Sequence, residues 1–251
     1  PGCPHRSSFY VMNKLKVPVA GDIGCYNLGS MPPFNAQHTM GSMGASIGVL
    51  HGISLANIPE KAVCTIGDST FFHSGIPPLI NMVHNGGRGV VVIMDNSSTA
   101  MTGHQDNPGI GWSVTRDRKA KKIEIEPLVR AMGVEKVVTV NAFNVKEVAE
   151  GFEECFKFDG VAVLITKGEC IFVSRNPKPV FIVNTEKCIA CHECFKVGCP
   201  AVVMDVVKNE KNGKFKVKID PTLCNGCSVC SQVCPTGAIE ATKPGKESLA
   251  E

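Results

Sequence analysis

Thirteen cysteines dominate the chemistry available to this 251-residue sequence, and eight of them lie in two short runs. The runs, 36 residues apart, read Cys188-x2-Cys191-x2-Cys194-x4-Cys199-Pro200 and Cys224-x2-Cys227-x2-Cys230-x3-Cys234-Pro235. A two-residue spacing folds three thiolates around one corner of an iron–sulfur cubane, and the following proline turns the chain so that the fourth thiolate reaches across. CxxC pairs also bind structural zinc, but four such steps with two Cys-Pro pairs favour iron–sulfur clusters over zinc or disulfides.

These runs resemble the two-cluster bacterial ferredoxins over about 60 residues, a family in which the fourth cysteine of each run binds the other cluster. The resemblance implies one [4Fe-4S] cluster on Cys188, Cys191, Cys194 and Cys234, and a second on Cys224, Cys227, Cys230 and Cys199. The first run has one extra residue before Cys199, which we expect to bulge the loop without removing the ligand.

A second group of polar residues follows two apolar runs. Gly67-Asp68-Ser69 comes directly after the first, and Asp95-Asn96-Ser97-Ser98 after the second, with 25 residues between them. The pair resembles the thiamine-diphosphate motif, in which a Gly-Asp-Gly is followed by an Asn-Asn. It implies a Mg²⁺ ion held by the Asp68 carboxylate, the Asn96 amide oxygen and the Ser98 carbonyl, because Mg²⁺ demands oxygen ligands. Ser69 and Asp95 differ from the residues of the motif, but at positions that supply no side-chain ligand to the metal. The alternative interpretation is that Gly67-Asp68-Ser69 is only a turn and that Asp95–Ser98 is only the start of a helix.

The elements around these residues alternate. Apolar runs at 17–20, 62–66, 89–94, 134–140 and 161–166 predict strands, and the stretches 38–58, 75–85, 126–132 and 145–157 predict helices. Buried strands separated by helices predict a parallel sheet covered on both faces, which binds ligands at the carboxyl ends of its strands. The fold class is therefore α/β, followed by a small α+β two-[4Fe-4S] ferredoxin-like domain.

The domain boundaries follow from where this alternation stops. We predict a thiamine-diphosphate-binding domain at 1–170, a linker at 171–180, the two-cluster domain at 181–242 and a polar tail at 243–251. Within the second domain, the apolar runs 202–207 and 214–219 around Asn212-Gly213 predict a β-hairpin. No apolar run is long enough to span a bilayer, and a net charge of +3 is too small to argue for nucleic acid.

The stretches Pro1–Arg6, Gly21–Tyr26, Met43–Gly48 and Ala100–Gln105 resemble the 2-oxoacid:ferredoxin oxidoreductases. Within that family the sequence is most similar to the large subunits of the indolepyruvate-oxidising branch, in which a two-cluster domain follows a thiamine domain directly. The resemblance implies cofactor contacts from Gly24, Cys25, Gly67, Ser69, Met101 and Thr102. It offers His5 and Cys25 as catalytic residues. The alternative interpretations are that His5 is a surface histidine, that Cys25 is simply a small buried residue, and that Thr102 caps a helix.

The activity implied is oxidative decarboxylation of a 2-oxoacid, such as indolepyruvate or another aryl pyruvate, to acyl-CoA, with electrons passing through two clusters to an external ferredoxin. We find no segment for the pyrimidine-binding region with its activating Glu, and so expect that region upstream or a β subunit to supply it. A hetero-oligomer and a cytoplasmic location are also expected, since the other five cysteines are scattered as in a reducing compartment. The competing hypotheses are an electron-transfer subunit with a non-catalytic α/β docking domain, and a non-oxidative thiamine lyase.

Overall fold

The protein is described by a computed structural model that covers residues 1–56, 61–113, 115–174 and 178–242. The polar tail predicted for 243–251 lies outside the described residues, as does part of the predicted linker. No helix among the residues described is long and apolar enough to cross a membrane.

Six parallel strands form the central sheet of the larger domain. They are β1 (Val19–Gly21), β2 (Thr39–Met40), β3 (Val63–Gly67), β4 (Gly89–Asp95), β5 (Lys136–Asn141) and β6 (Val161–Lys167). Their order across the sheet is β2-β1-β3-β4-β6-β5. The chain moves outward from β1 to β2 and returns to the other side of β1 with β3, so the strand order reverses between β1 and β3. Ligands bind outside the carboxyl ends of strands at such a switch point.

Helices cover both faces of the sheet, as the alternation predicted. In chain order they are α1 (His5–Leu15), α2 (Ala45–Leu55), α3 (Asp68–Thr70), α4 (Ile76–His84), α5 (Ile125–Ala131) and α6 (Val145–Phe156), with a π-helical turn at Phe71–Gly75. The predicted helix at 38–58 begins only at Ala45, because Thr39 and Met40 pair with β1 as an edge strand. Helix α1 was not predicted from the sequence.

Alternate residues of β4 point into two separate cores. Val90, Val92 and Met94 belong to a core that α1 and α6 cover. Val91 and Ile93 belong to the core that α2, α4 and α5 close on the opposite face. The period of two in a strand explains this division.

The smaller domain consists of two antiparallel strand pairs and a short helix. Its elements are β7 (Phe181–Val183), β8 (Val202–Lys208), β9 (Phe215–Ile219), α7 (Val229–Gln232) and β10 (Ile239–Ala241). Strand β7 pairs with β10, and β8 pairs with β9 as the predicted hairpin. The hairpin loop is longer than a two-residue turn, because the Asn209 side chain accepts hydrogen bonds from the N–H groups of Lys211 and Asn212.

The two domains share one hydrophobic core, which continues from the α1 and α6 face of the sheet into the small domain. Polar contacts reinforce it: the Tyr10 hydroxyl donates to Glu193 at 2.8 Å, and the Gln232 side chain donates to the Phe143 carbonyl at 2.7 Å. Arg6 also donates to the carbonyls of Val197 and Gly198.

We expect Phe152→Ala, in the part of this core under α6, to destabilise both domains together. Phe152 is fully buried, and such a truncation costs about 3–5 kcal/mol, or roughly 10 °C in melting temperature. Anaerobic thermal melting followed by far-UV circular dichroism and by cluster absorption measures it, with the exposed neighbour change Glu153→Ala as the control. Two separate transitions, with only the first shifted, would contradict the shared core.

Candidate thiamine-diphosphate and cluster sites

A cleft opens at the carboxyl ends of β1, β3 and β4, where the switch point predicts a ligand. It is lined by residues that follow each strand and by the first residue of α1. These are His5, Ile23, Gly24, Cys25, Tyr26, Met43, Gly67, Asp68, Ser69, Thr70, Met94, Asn96, Ser98, Thr99, Ala100, Met101 and Thr102. Every cofactor-binding and catalytic residue named from the sequence in the first domain is in this set.

The register between β3 and β4 brings the two polar segments together. Gly67 pairs with Met94, so that Asp68 and Asn96 emerge beside one another. Both side chains are buried, as is Ser98. The Thr99 hydroxyl donates to the Ser69 hydroxyl at 2.8 Å, which ties the two segments directly. Asp68 and Asn96 both line the cleft between the two segments.

The carboxylate of Asp68 lies in an electrostatically unfavourable environment. Burial, followed by the nearby Asp95 carboxylate, raises the pKa of Asp68 to about 7. The Ser69 N–H and the Asn107 side chain donate to its two oxygens at 2.8 and 3.1 Å and offset part of that effect. A buried carboxylate next to a second acid fits a cation between the diphosphate and the protein, since a cation relieves both burial and repulsion.

Gly24 and Gly67 must both be glycine, because the ring of Tyr26 occupies the space that a side chain would need at either position. A Cβ on Gly24 would lie 2.5 Å from Tyr26, and one on Gly67 would lie 2.7 Å from the same ring. Tyr26 is buried and donates its hydroxyl to the Ile23 carbonyl at 2.8 Å. Tyr26 thus forms the floor of the cleft, a role that the sequence analysis missed.

Asp22 is a second residue that the sequence analysis missed. It is fully buried, and its carboxylate accepts from the N–H groups of Gly44 and Ser46 at 2.8 and 3.1 Å. It therefore caps α2 and holds the β1 loop, with Cys25, against the start of that helix. The sequence signal that could have identified Asp22 is its position directly after a short strand. Asn107, 39 residues from Asp68, carries no comparable signal in its local sequence.

His5 lies at the first position of α1 and is 4% exposed, so it is not a surface histidine. Its ring meets the Tyr26 ring edge to face, with centroids 6.2 Å apart. Burial lowers the pKa of His5 to about 4. At neutral pH it is therefore an uncharged imidazole facing the cleft. Cys25 is half-buried at the same end, and burial shifts its pKa the other way, above that of a free thiol.

Met101 and Thr102 lie at the mouth of the cleft in a short 3₁₀ turn, and both side chains are exposed. The Thr102 hydroxyl donates to the Gln105 side chain at 2.6 Å, so it stabilises the turn rather than capping a longer helix.

The eight cluster cysteines stand in two groups of four. Cys188, Cys191, Cys194 and Cys234 surround one small cavity. Cys227, Cys199 and Cys224 are the neighbouring thiols that most raise the pKa of Cys230, ahead of Cys194 in the first group. This grouping is the one that the ferredoxin resemblance implied, with the fourth cysteine of each run placed beside the first three of the other.

The thiols themselves fit a cationic cluster. Burial and the neighbouring thiols raise the pKa of Cys194 and of Cys230 to about 12, so these groups become thiolates only with a positive centre among them. Backbone N–H groups already point at two sulfurs: Ala238 donates to Cys234 at 3.2 Å, and Phe181 donates to Cys224 at 3.4 Å. Hydrogen bonds of this kind tune cluster potentials.

Comparison with known proteins agrees with both sites. Residues 22–166 match the family "Thiamine pyrophosphate enzyme, C-terminal TPP binding domain", and residues 187–238 match the 4Fe-4S dicluster domain. The first match covers more than half of the chain, and the protein belongs to the thiamine pyrophosphate enzymes. Its C-terminal part is a two-cluster ferredoxin-like domain, which confirms the fold class.

The particular relatives are indolepyruvate oxidoreductase subunits. The chain is 44% identical over 257 residues to subunit IorA of Methanothermobacter thermautotrophicus and 40% identical over 270 residues to that of Pyrococcus horikoshii. Each alignment covers 98% of this chain and 40% of the relative, so the chain spans about two fifths of the length of these relatives. The family resemblance drawn from the sequence is thereby confirmed.

Among solved structures, the fold is similar to a 2-oxoglutarate:ferredoxin oxidoreductase from Magnetococcus marinus with 2-oxoglutarate, coenzyme A and succinyl-CoA bound. The TM-score is 0.60 at 22% identity, covering 68% of this chain and 63% of that one. A putative thiamin diphosphate-dependent enzyme from Mycobacterium smegmatis matches with a TM-score of 0.50 at 17% identity, covering 67% of this chain and 32% of that one.

Asp68→Asn should separate cofactor binding from folding. Without the carboxylate, we expect binding of thiamine diphosphate with Mg²⁺ to weaken at least about 100-fold, because the amide cannot supply the charge that a divalent cation needs. The thermal stability of the cofactor-free protein should hold or rise, since a strained buried acid is gone. Calorimetric titration of the assembled complex, with Asp117→Asn on the exposed loop as the matched control, measures both. Unchanged cofactor affinity would contradict the assignment.

His5 makes stability sensitive to acid. Its folded pKa of about 4 lies below the ordinary value of about 6.5, so its neutral form stabilises the fold above pH 6.5, and this stability is lost as the pH falls toward 4. Between pH 7 and 5 the loss is about 2 kcal/mol. Urea unfolding of wild type and His5→Gln at both pH values tests this, because the variant should lack that part of the pH dependence. Equal losses in the two proteins would exclude His5 as the cause.

Proposed function

We propose that this chain is the thiamine-binding and electron-relay portion of a 2-oxoacid:ferredoxin oxidoreductase. In this proposal an aryl pyruvate such as indolepyruvate is oxidatively decarboxylated to an acyl-CoA, and the electrons pass to an external ferredoxin. The main support for this proposal is that the cleft with Asp68 and Asn96 and the two four-cysteine groups lie in one chain, and that the two domains of this chain share a hydrophobic core.

Thiamine diphosphate, when bound, supplies the nucleophilic carbon and the electron sink that decarboxylation of a 2-oxoacid requires. Asp68, Asn96 and the Ser98 carbonyl would hold its diphosphate through Mg²⁺. Tyr26 would shape the floor of the pocket beneath the cofactor. His5, neutral at pH 7, would offer a ring nitrogen to the substrate, while Cys25 lines the same wall.

The oxidative outcome is supported by the two cysteine groups, because a decarboxylase that releases an aldehyde has no use for one-electron acceptors. Two [4Fe-4S] clusters match a two-electron oxidation delivered in single steps. Coenzyme A as the acyl acceptor is supported by the solved 2-oxoglutarate:ferredoxin oxidoreductase of similar fold, which has coenzyme A and succinyl-CoA bound.

An aryl substrate is supported by the character of the cleft mouth. Met43 and Met101 line it and are 44% and 52% exposed. Methionine thioethers make adaptable contacts with aromatic rings. The name of the IorA relatives, indolepyruvate oxidoreductase, agrees with such a substrate.

The proposed assembly is larger than this chain. We propose that the activating Glu comes from a pyrimidine-binding region upstream or from a β subunit, and that the assembly is a cytoplasmic hetero-oligomer. The scattered cysteines support a reducing compartment, and the relatives are named as subunits.

The test is a dye-reduction screen on the anaerobically purified assembly, with indolepyruvate, phenylpyruvate, pyruvate, a branched-chain oxoacid and 2-oxoglutarate. We expect CoA-dependent reduction of methyl viologen with kcat/KM highest for the aryl pyruvates. Met101→Ala should lower that value by about 10-fold, the scale of one lost pocket contact. Leu28→Ala, at an exposed position outside the cleft, serves as the control.

Each competing hypothesis has its own outcome in this experiment. Absence of thiamine diphosphate from the purified assembly would support the electron-transfer subunit with a docking domain. Release of an aldehyde without dye reduction would support the non-oxidative lyase.

A further inference from the structure

A strip of unpaired lysines runs along the β8–β9 hairpin. The hairpin, residues 202–219, carries five lysines and two acids, Asp205 and Glu210. The lysines are Lys208, Lys211, Lys214, Lys216 and Lys218. None of them forms an ion pair with a residue that the structure describes, whereas Lys187 and Lys196, elsewhere in the same domain, are paired with Glu240 and Glu193.

The hairpin is held against the loop that carries the first cysteine group. The Asn212 side chain donates to the Ile189 carbonyl at 2.9 Å, and the Asn209 side chain donates to the Cys188 carbonyl at 3.4 Å. The His192 ring contacts the Phe215 carbonyl at 2.8 Å. These bonds fix the lysine strip at the edge of a cluster site rather than leaving it on a free arm.

The cluster loop is open to solvent beside this strip. Cys191 is exposed, whereas the other seven cluster cysteines are buried or half-buried. Ile189 and Phe215, next to it, are 46% and 41% exposed. An apolar centre with a charged rim suits a transient protein contact, in which the rim charges steer the encounter.

The other cysteine group lies beside the thiamine domain. Cys227 lies in a groove with Phe143 and Val145 of the thiamine domain. Asn225 approaches the N-terminal segment, where a Cβ on Gly2 would lie 3.2 Å from it. The cavity of the first group, by contrast, is lined only by residues 183–239 of the small domain. The first group therefore carries the one exposed cluster cysteine, Cys191, and its cavity contains no residue of the thiamine domain.

We propose that the lysine strip, with Ile189, Cys191 and Phe215 at its centre, is the docking surface for an acidic electron-carrier protein. The proposal rests on the proposed function and adds where the carrier binds and why its charge must be negative. A redox centre at the middle of the patch favours a carrier over a nucleic acid or a membrane as the partner.

The charge reversal Lys211→Glu/Lys214→Glu tests the surface. Both side chains are exposed, and their hydrogen bonds to Asn209 and Asn212 use backbone N–H groups only, so the fold should be unaffected. We expect the affinity of the assembly for an acidic two-cluster ferredoxin, measured by surface plasmon resonance at low ionic strength, to fall about 10-fold or more. The deficit should shrink as salt is added, because surface charges are screened. Arg88→Glu/Lys157→Glu, which makes the same charge change at the other end of the sheet strands, should leave the affinity unaltered.

Two further readouts keep this test separate from the proposed function. Stopped-flow transfer from dithionite-reduced assembly to oxidised ferredoxin needs no 2-oxoacid, and it should slow in the hairpin variant even if no oxoacid is turned over. Methyl viologen reduction by an oxoacid should stay at the wild-type rate, since a small dye needs no docking. Equal ferredoxin affinity in the two charge-reversed proteins would overturn the proposal. Dissociation of the assembly by the hairpin variant would overturn it too, because it would mean that the strip binds a permanent subunit.

Discussion

The parallel register of β3 against β4 is the constraint on which the thiamine site depends. Because Gly67 pairs with Met94, Asp68, which directly follows β3, lies beside Asp95, the last residue of β4. Burial of Asp68 and its proximity to Asp95 raise the pKa of Asp68. A protein tolerates such repulsion where a bound cation removes it, and so the strain and the expected metal have one cause.

The second constraint is the core that both domains share. Helix α1 starts in the cleft with His5 and packs further along against the small domain, where Tyr10 reaches Glu193. The helix and the apolar residues around it set the distance and orientation between the cleft and the cysteine groups. A flexible linker would let these sites separate, and transfer of single electrons between buried centres depends on a fixed separation. The domain arrangement thus belongs to the proposed mechanism as much as the ligands do.

The two cysteine groups differ in what surrounds them. One lies beside the thiamine domain, and the other carries the exposed Cys191 beside a basic hairpin. Their sequences are almost alike, so what distinguishes them is what packs on each. The small domain thus has one cysteine group next to the thiamine domain and one next to an exposed surface. The proposed relay, which passes electrons from the thiamine cleft to a diffusing partner, requires such an arrangement.

The sequence alone determined the features that depend on local spacing. The spacing within each cysteine run predicted three neighbouring thiolates, and apolar runs separated by helices predicted the parallel sheet, because both are short-range patterns. The exchange of the fourth cysteine between the two runs was implied by the resemblance to the two-cluster ferredoxins. Tertiary structure decided the rest. Helix α1 was missed, since its buried face packs against α6, the small domain and the segment around Tyr26 and Phe34, none of which is next to it in the chain. Tyr26 and Asn107 were missed because their partners lie about 40 residues away along the chain. The burial that keeps His5 neutral likewise exists only in the folded protein, where the ring packs against Tyr26 in the cleft, since desolvation is a property of the assembled fold and of no single segment.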